Sequence, residues 1–272
     1  MKQRIITGAL LILLLVILLT LPGWCMALAT LISVGFAVWE EYRALRLAGH
    51  RVVSWPTWVV LGVSIPLTHF WGHKIMVPLL ACALMITVAI ILFREDPKLA
   101  DLSMSVLPLL TVLLPGLCLV AMSLVDQKAV EVVLLSLTFA VPLLGDTMAL
   151  FTGSAIGGKK LCPVVSPKKT VAGAIGGLAG SLLAALAVWL ISLAACNEPT
   201  LARLPAWWQY ILLGLIGGVV GQLGDLFASL VKRHSGIKDF SNLFPAHGGM
   251  LDRLDSVLFM AVLMYCFRLF VG

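Results

Sequence analysis

The residues whose types could do chemistry crowd into one run, SLVKRHSGIKDFSNLFPAHGGMLDRLD, at positions 229–255. It holds Ser229, Lys232, Arg233, Lys238, Asp239, His247, Gly248, Gly249, Asp252, Arg253 and Asp255. An apolar helix has no use for cations, carboxylates and a Gly-Gly pair at this density, so the run reads as a site. A second polar run, Ser166-Pro167-Lys168-Lys169-Thr170, opens another apolar segment. Two lysines and two hydroxyls at a helix start suit a phosphate, through side-chain charge, unpaired backbone N–H groups and the helix dipole. A positive-inside loop would explain the lysines, but not the Ser-Pro and Thr beside them. Asp146, with Pro142 and Gly145, interrupts a third apolar stretch. An ionisable residue there faces a cavity or a partner, either as a binding group or as a carboxylate that neutralises a nearby cation.

What must position these residues is a set of membrane helices. The chain has 272 residues, 61% hydrophobic and only 12% charged, with mean hydropathy +1.07 and apolar runs of membrane-spanning length. A spanning backbone has to satisfy its own hydrogen bonds, which predicts an all-α, polytopic helical membrane protein and excludes a soluble core. About nine spans are expected, near 5–21, 25–39, 55–71, 76–93, 104–125, 130–156, 171–195, 207–231 and 254–271. The first is taken as a span and not a signal peptide, because it is long and leads at once into the second. Residues 1–129 form an N-terminal transmembrane region and 130–272 a C-terminal catalytic region, with the active site at the cytoplasmic side of the C-terminal helices.

Orientation follows from the basic loops. With the N-terminus inside, most of the 19 lysines and arginines fall on one side, which places the 229–255 stretch in the cytoplasm. The formal charge of +6 points to anionic head groups and substrates; nucleic acid is not expected, since there is no soluble basic domain. Six cysteines stand singly with no CxxC pair, so neither a disulfide nor a zinc site is expected.

The N-terminal half carries few polar residues. Glu40, Glu41, Arg43 and Arg46 read as a solvated helix end with charge pairing along the helix. Further on, Gly173 and Gly177, Gly176 and Gly180, Gly214 and Gly218, and Gly217 and Gly221 are spaced four apart, which lets membrane helices approach closely. Such packing brings the 166–170 loop towards Asp225. On the following helix Asp225, Ser229 and Lys232 share one face, as do Asp252 and Asp255 at the start of the next.

Ser229-x-Val231-Lys232-Arg233, Lys238-Asp239-x-Ser241 and Phe244-Pro245-x-His247-Gly248-Gly249-Met250-x-Asp252-Arg253-Leu254-Asp255 together resemble the C-terminal signature of the phosphatidate cytidylyltransferases, the CDP-diacylglycerol synthases. The likeness extends to Gly224-Asp225-Leu226, to Ser166–Thr170 with Gly173, and loosely to Gly145-Asp146. It covers the C-terminal half by motif and the rest by its pattern of spans. Many relatives carry glutamate where this chain has Ala172 and Ala228, and glycine where it has Ala246.

The resemblance implies a Mg²⁺-dependent reaction of CTP with phosphatidate, giving CDP-diacylglycerol and pyrophosphate, in the bacterial cytoplasmic membrane. It implies metal ligands among Asp225 and Asp252, then Asp255 and Asp146, with a second cation and a homodimer left open. The catalytic residues it implies are Asp225, Asp252, Asp255, Lys232 and Arg253. Substrate contacts fall to Ser166, Lys168, Lys169, Thr170, Ser229, Arg233, Lys238, Asp239, His247, Gly248 and Gly249. The alternatives are a CTP-dependent kinase, a cytidylyltransferase for another membrane lipid, or a transporter.

Overall fold

The computed structural model describes residues 2–244 and 248–271. Among the described residues it is an all-α architecture with one small hairpin. The longer helices are α1 (Lys2–Thr20), α2 (Gly23–Leu47), α3 (Trp55–Trp71), α4 (Met76–Leu92), α5 (Leu99–Ser123), α6 (Lys128–Ile156), α7 (Val171–Ala195), α8 (Trp207–His234) and α9 (Leu251–Val271), with single turns at His73–Ile75 and Glu198–Leu201. Among the described residues, five helices are long and apolar enough to cross a membrane: α2, α5, α6, α7 and α8. Shorter apolar helices cover Gly8–Thr20 and Met76–Leu92. Helix ends follow local chemistry. Thr170 caps α7, its hydroxyl accepting from the Gly173 N–H at 3.1 Å, and α6 stops at Gly157, whose φ of 66° no ordinary side chain favours. In α5 the ladder widens into a π turn at Leu109–Leu113, where Pro115 has no N–H to give the preceding turn.

Two findings differ from expectation. The 104–125 span begins earlier, at Leu99, because Asp101 is buried and accepts from the Arg51 N–H at 3.0 Å. The loop before α7 is not irregular: β1 (Lys160–Cys162) pairs antiparallel with β2 (Ser166–Thr170), Lys160 opposite Thr170 and Cys162 opposite Ser166.

The chain divides into two compact units. One comprises Met1–Ala121 and Val231–Leu254, the other Met122–Leu230 and Asp255–Gly272. The stretch that carries most of the signature therefore belongs with the N-terminal helices. In the first unit, polar side chains knit α2 to its neighbours. The Tyr42 hydroxyl lies 2.6 Å from Thr57 Oγ1 and donates to the Ser105 carbonyl at 2.8 Å, while Thr111, in the π turn, faces the Glu41 carboxylate at 3.0 Å. His50 Nε2 meets His234 Nε2 at 2.9 Å.

In the second unit, α6 and α7 pack along their length. A Cβ on Gly180 would lie 2.7 Å from the Leu144 carbonyl and from Met148 Cβ, and one on Gly176 would collide with Thr152. Gly214 and Gly218 of α8 face α7, at Leu182 and Ser181, whereas Gly217 faces Met260 of α9 and Val141 of α6. The four-residue spacing thus marks close helix contact, as expected, with α6 and α9 as partners besides α7 and α8.

Candidate active site

The second unit holds a lysine–aspartate pair built from hairpin and helix. Lys169 on β2 reaches Asp225 on α8, Nζ to Oδ2 at 2.5 Å, and each side chain is about one quarter exposed (26% and 27%). The glycine contacts of α7 bring them together, since the hairpin runs directly into α7 and α7 lies against α8. Ser229 stands one turn beyond Asp225 with its hydroxyl 3.5 Å from Oδ1. Lys168 is exposed, Ser166 is half-buried, and the Thr170 hydroxyl is taken up in capping α7. In the same unit, Asp146 and Asp255 converge on one buried hydroxyl: Ser256 Oγ is 3.2 Å from Asp146 Oδ2 and 3.4 Å from Asp255 Oδ1. The Ser256 N–H also donates to Asp255 Oδ1 at 2.8 Å.

The first unit holds the second pair. Lys232 Nζ lies 2.6 Å from Asp252 Oδ1, with side-chain exposures of 14% and 6%, and 5.3 Å from the centre of the Phe240 ring. Asp252 Oδ2 accepts the N–H groups of Phe240 and Gly249, both at 2.9 Å. These partners use three of about four acceptor positions on the carboxylate. Arg233, Lys238, Asp239 and Arg253 are exposed around this loop. His247 lies outside the described residues.

The Gly-Gly pair has a geometric cause. Gly248 has φ 82°, and a Cβ there would sit 2.9 Å from Asp252 Oδ2; a Cβ on Gly249 would sit 2.5 Å from Glu40 Oε1. Two carboxylates therefore press against the backbone at these glycines.

Glu40 corrects the reading of the α2 end. Glu40 and Glu41 are 0% and 1% exposed, not solvated; they turn inward, while Arg43 lies over Trp39 and Arg46 reaches Ser54 at the surface. Adjacent helix residues point about 100° apart, and a buried acid needs donors. Glu40 finds them on the signature loop: the Ser241 hydroxyl at 2.5 Å and the N–H groups of Met250 and Leu251 at 2.9 and 2.7 Å. The available signal was a pair of adjacent acids on a mostly apolar helix; the identity of their partners was not encoded locally.

Chemically, both lysine–aspartate pairs present an oriented ammonium of the kind that neutralises phosphate oxygens. Carboxylates supply the hard oxygens that Mg²⁺ takes. Among the described residues no three of His, Cys, Asp and Glu gather into an all-protein cage; an ion that keeps its water and shares substrate phosphates does not need one, so the residues present fit Mg²⁺.

Three bacterial proteins similar to this chain are called phosphatidate cytidylyltransferase. That of Brucella abortus (strain 2308) is 43% identical over 129 residues, 47% of this chain and 44% of the relative. That of Bacillus subtilis is 43% identical over 121 residues, 44% of this chain and 41% of the relative. That of Staphylococcus aureus is 44% identical over 128 residues, 46% of this chain and 45% of the relative. The matched part thus spans less than half the length of each relative. The profile of the cytidylyltransferase family is broader and matches residues 2–271. Covered almost from end to end, the chain belongs to the cytidylyltransferase family.

Proposed function

We propose that this chain is a phosphatidate cytidylyltransferase, an integral membrane enzyme that converts CTP and phosphatidate to CDP-diacylglycerol and pyrophosphate. The observation that carries the reading is the family match over residues 2–271; the shared name of the relatives supplies the substrate. A phosphatidate oxygen attacks the α-phosphorus of CTP, and the bond from that phosphorus to the bridging oxygen of pyrophosphate breaks. The attacking phosphate is already anionic near neutral pH, so the reaction asks less for a strong base than for cations that bring two polyanions together and stabilise the leaving group.

The residues divide that work. Lys169 and Lys232 donate to phosphate oxygens, each held in place by its aspartate. Lys168, Arg233, Lys238 and Arg253 add charge and donors near the surface, and Ser166, Ser229 and Asp239 orient the nucleotide or head group. Asp225, Asp146 and Asp255 in one unit, and Asp252 in the other, are the carboxylates that would supply oxygen ligands to Mg²⁺, which when bound would neutralise phosphate charge. We infer a topology of about nine spans with the N-terminus and the 229–255 stretch cytoplasmic, which the distribution of basic residues supports.

The test is the fate of radiolabelled CTP given to the purified protein with phosphatidate and Mg²⁺. Labelled CDP-diacylglycerol with release of pyrophosphate is expected. Formation of CDP together with a phosphorylated lipid would replace this reading with a CTP-dependent lipid kinase.

A further inference from the structure

We propose that Glu40 is a positioning residue for the signature loop: from α2 it holds the start of α9 in register, so that Lys232, Asp252 and Arg253 keep the geometry the reaction needs. The inference rests on the reaction proposed above, and it concerns a residue far in sequence from every motif of the C-terminal half. Glu40 is fully buried, and among the described residues three donors, from Ser241, Met250 and Leu251, meet its carboxylate. Two of them, the N–H groups of Met250 and Leu251, belong to the helix start, where backbone donors have no partner within the helix. Asp252 takes the next one back, Gly249. Three consecutive N–H groups at positions 249–251 are thus shared between an acid on the loop's own helix and an acid more than 200 residues earlier.

The same two acids also hold the other end of the loop. Asp252 accepts from the Phe240 N–H and Glu40 from the Ser241 hydroxyl. Residues 240–241 and 249–251 are in this way tied to two carboxylates, and the Phe244 N–H donates to the Gly248 carbonyl at 3.0 Å. Gly249 completes the fit, because any Cβ there would displace the Glu40 carboxylate. Glu40, buried and fully engaged with the loop, acts through it and not on the reacting atoms.

Glu40→Gln tests this. A carboxamide has one oxygen, so its NH₂ must face either the Met250 or the Leu251 N–H, and at least one backbone bond is lost. In detergent-purified protein, amide exchange at Met250 and Leu251 is expected to quicken by at least about tenfold, with α6 and α7 unchanged. Turnover, read as kcat/KM, is expected to fall roughly 100-fold, the scale of a catalytic geometry shifted by about 1 Å. Ser241→Ala, which removes the hydroxyl's bond to Glu40 and the one it accepts from the Leu243 N–H at 3.2 Å but leaves the Met250 and Leu251 bonds in place, should give a smaller change in the same direction at Met250 and Leu251, and it carries the test if Glu40→Gln does not fold.

A reciprocal pair separates positioning from general stability. Gly249→Ala should reproduce the loss, and adding Glu40→Asp, shorter by one methylene, should recover part of it. Unchanged exchange at Met250 and Leu251 in Glu40→Gln would overturn the proposal. So would faster exchange with kcat/KM within about twofold of the parent. If the parent protein makes no CDP-lipid, the proposed reaction fails and with it the catalytic half of this inference, while the exchange data still decide whether Glu40 holds the loop.

Discussion

Asp225 and Asp252 each face a lysine, yet their surroundings give them different work. Asp252 is 6% exposed and holds two backbone N–H groups besides Lys232, so it organises the loop whether or not an ion is bound. Asp225 is 27% exposed, and its lysine comes from a hairpin. Neutralising them should therefore separate. Asp252→Asn leaves Lys232 without its counter-charge in a nearly closed site, and is expected to cost about 3–5 kcal/mol of stability together with most turnover. Asp225→Asn, at a partly exposed pair, should cost below about 1 kcal/mol while still lowering turnover and raising the Mg²⁺ concentration needed for half-maximal rate. Thermal unfolding in detergent and a Mg²⁺ titration of activity read both. Equal loss of stability in the two variants would refute the division of roles.

At the scale of elements, the close approach of α6, α7 and α8 brings β2 within reach of Asp225. That approach depends on missing side chains, and the glycines are not equivalent. Gly180→Ala places a Cβ 2.7 Å from the Leu144 carbonyl, an overlap that rigid backbone cannot relieve, and should destabilise the protein by about 1–3 kcal/mol. Gly221→Ala meets only ordinary contacts, its nearest neighbour being Pro142 Cβ at 3.6 Å. That substitution should be neutral, or stabilising by up to about 1 kcal/mol through helix propensity. Melting temperatures of the two variants check the contrast; similar melting points would mean that α6 and α7 do not pack as described.

For the molecule as a whole, the membrane is the dominant constraint. Helices with apolar exteriors such as Leu150, Phe151, Ile175 and Ile191, all more than 60% exposed, are stable only where lipid covers them. Orientation in that membrane is testable with the protein's own cysteines. Cys162 lies on the hairpin before α7 and Cys196 directly after α7, both part-exposed. A spanning α7 puts them on opposite sides. In single-cysteine variants in intact cells, a membrane-impermeant thiol reagent is expected to label Cys196 first. Labelling of Cys162 first would invert the topology.

Much of this was legible in the residues alone. Apolar runs near 20 residues long become helices because no other backbone can satisfy itself in lipid, and the expected boundaries at 55–71 and 171–195 coincide with α3 and α7. The polar runs announced themselves by composition, and the glycine spacing by the short distance it permits. What the residues could not show is which partners the acids choose. Glu40 looked like a solvated helix end because its donors lie 210 and 211 positions away. The Gly-Gly pair gave no sign of the two carboxylates that lie against it, one arriving by long-range packing and one from the turn that follows. Helix formation is read from periodicity within a few turns, but pairing a buried charge depends on where the chain returns, and only tertiary structure decides that.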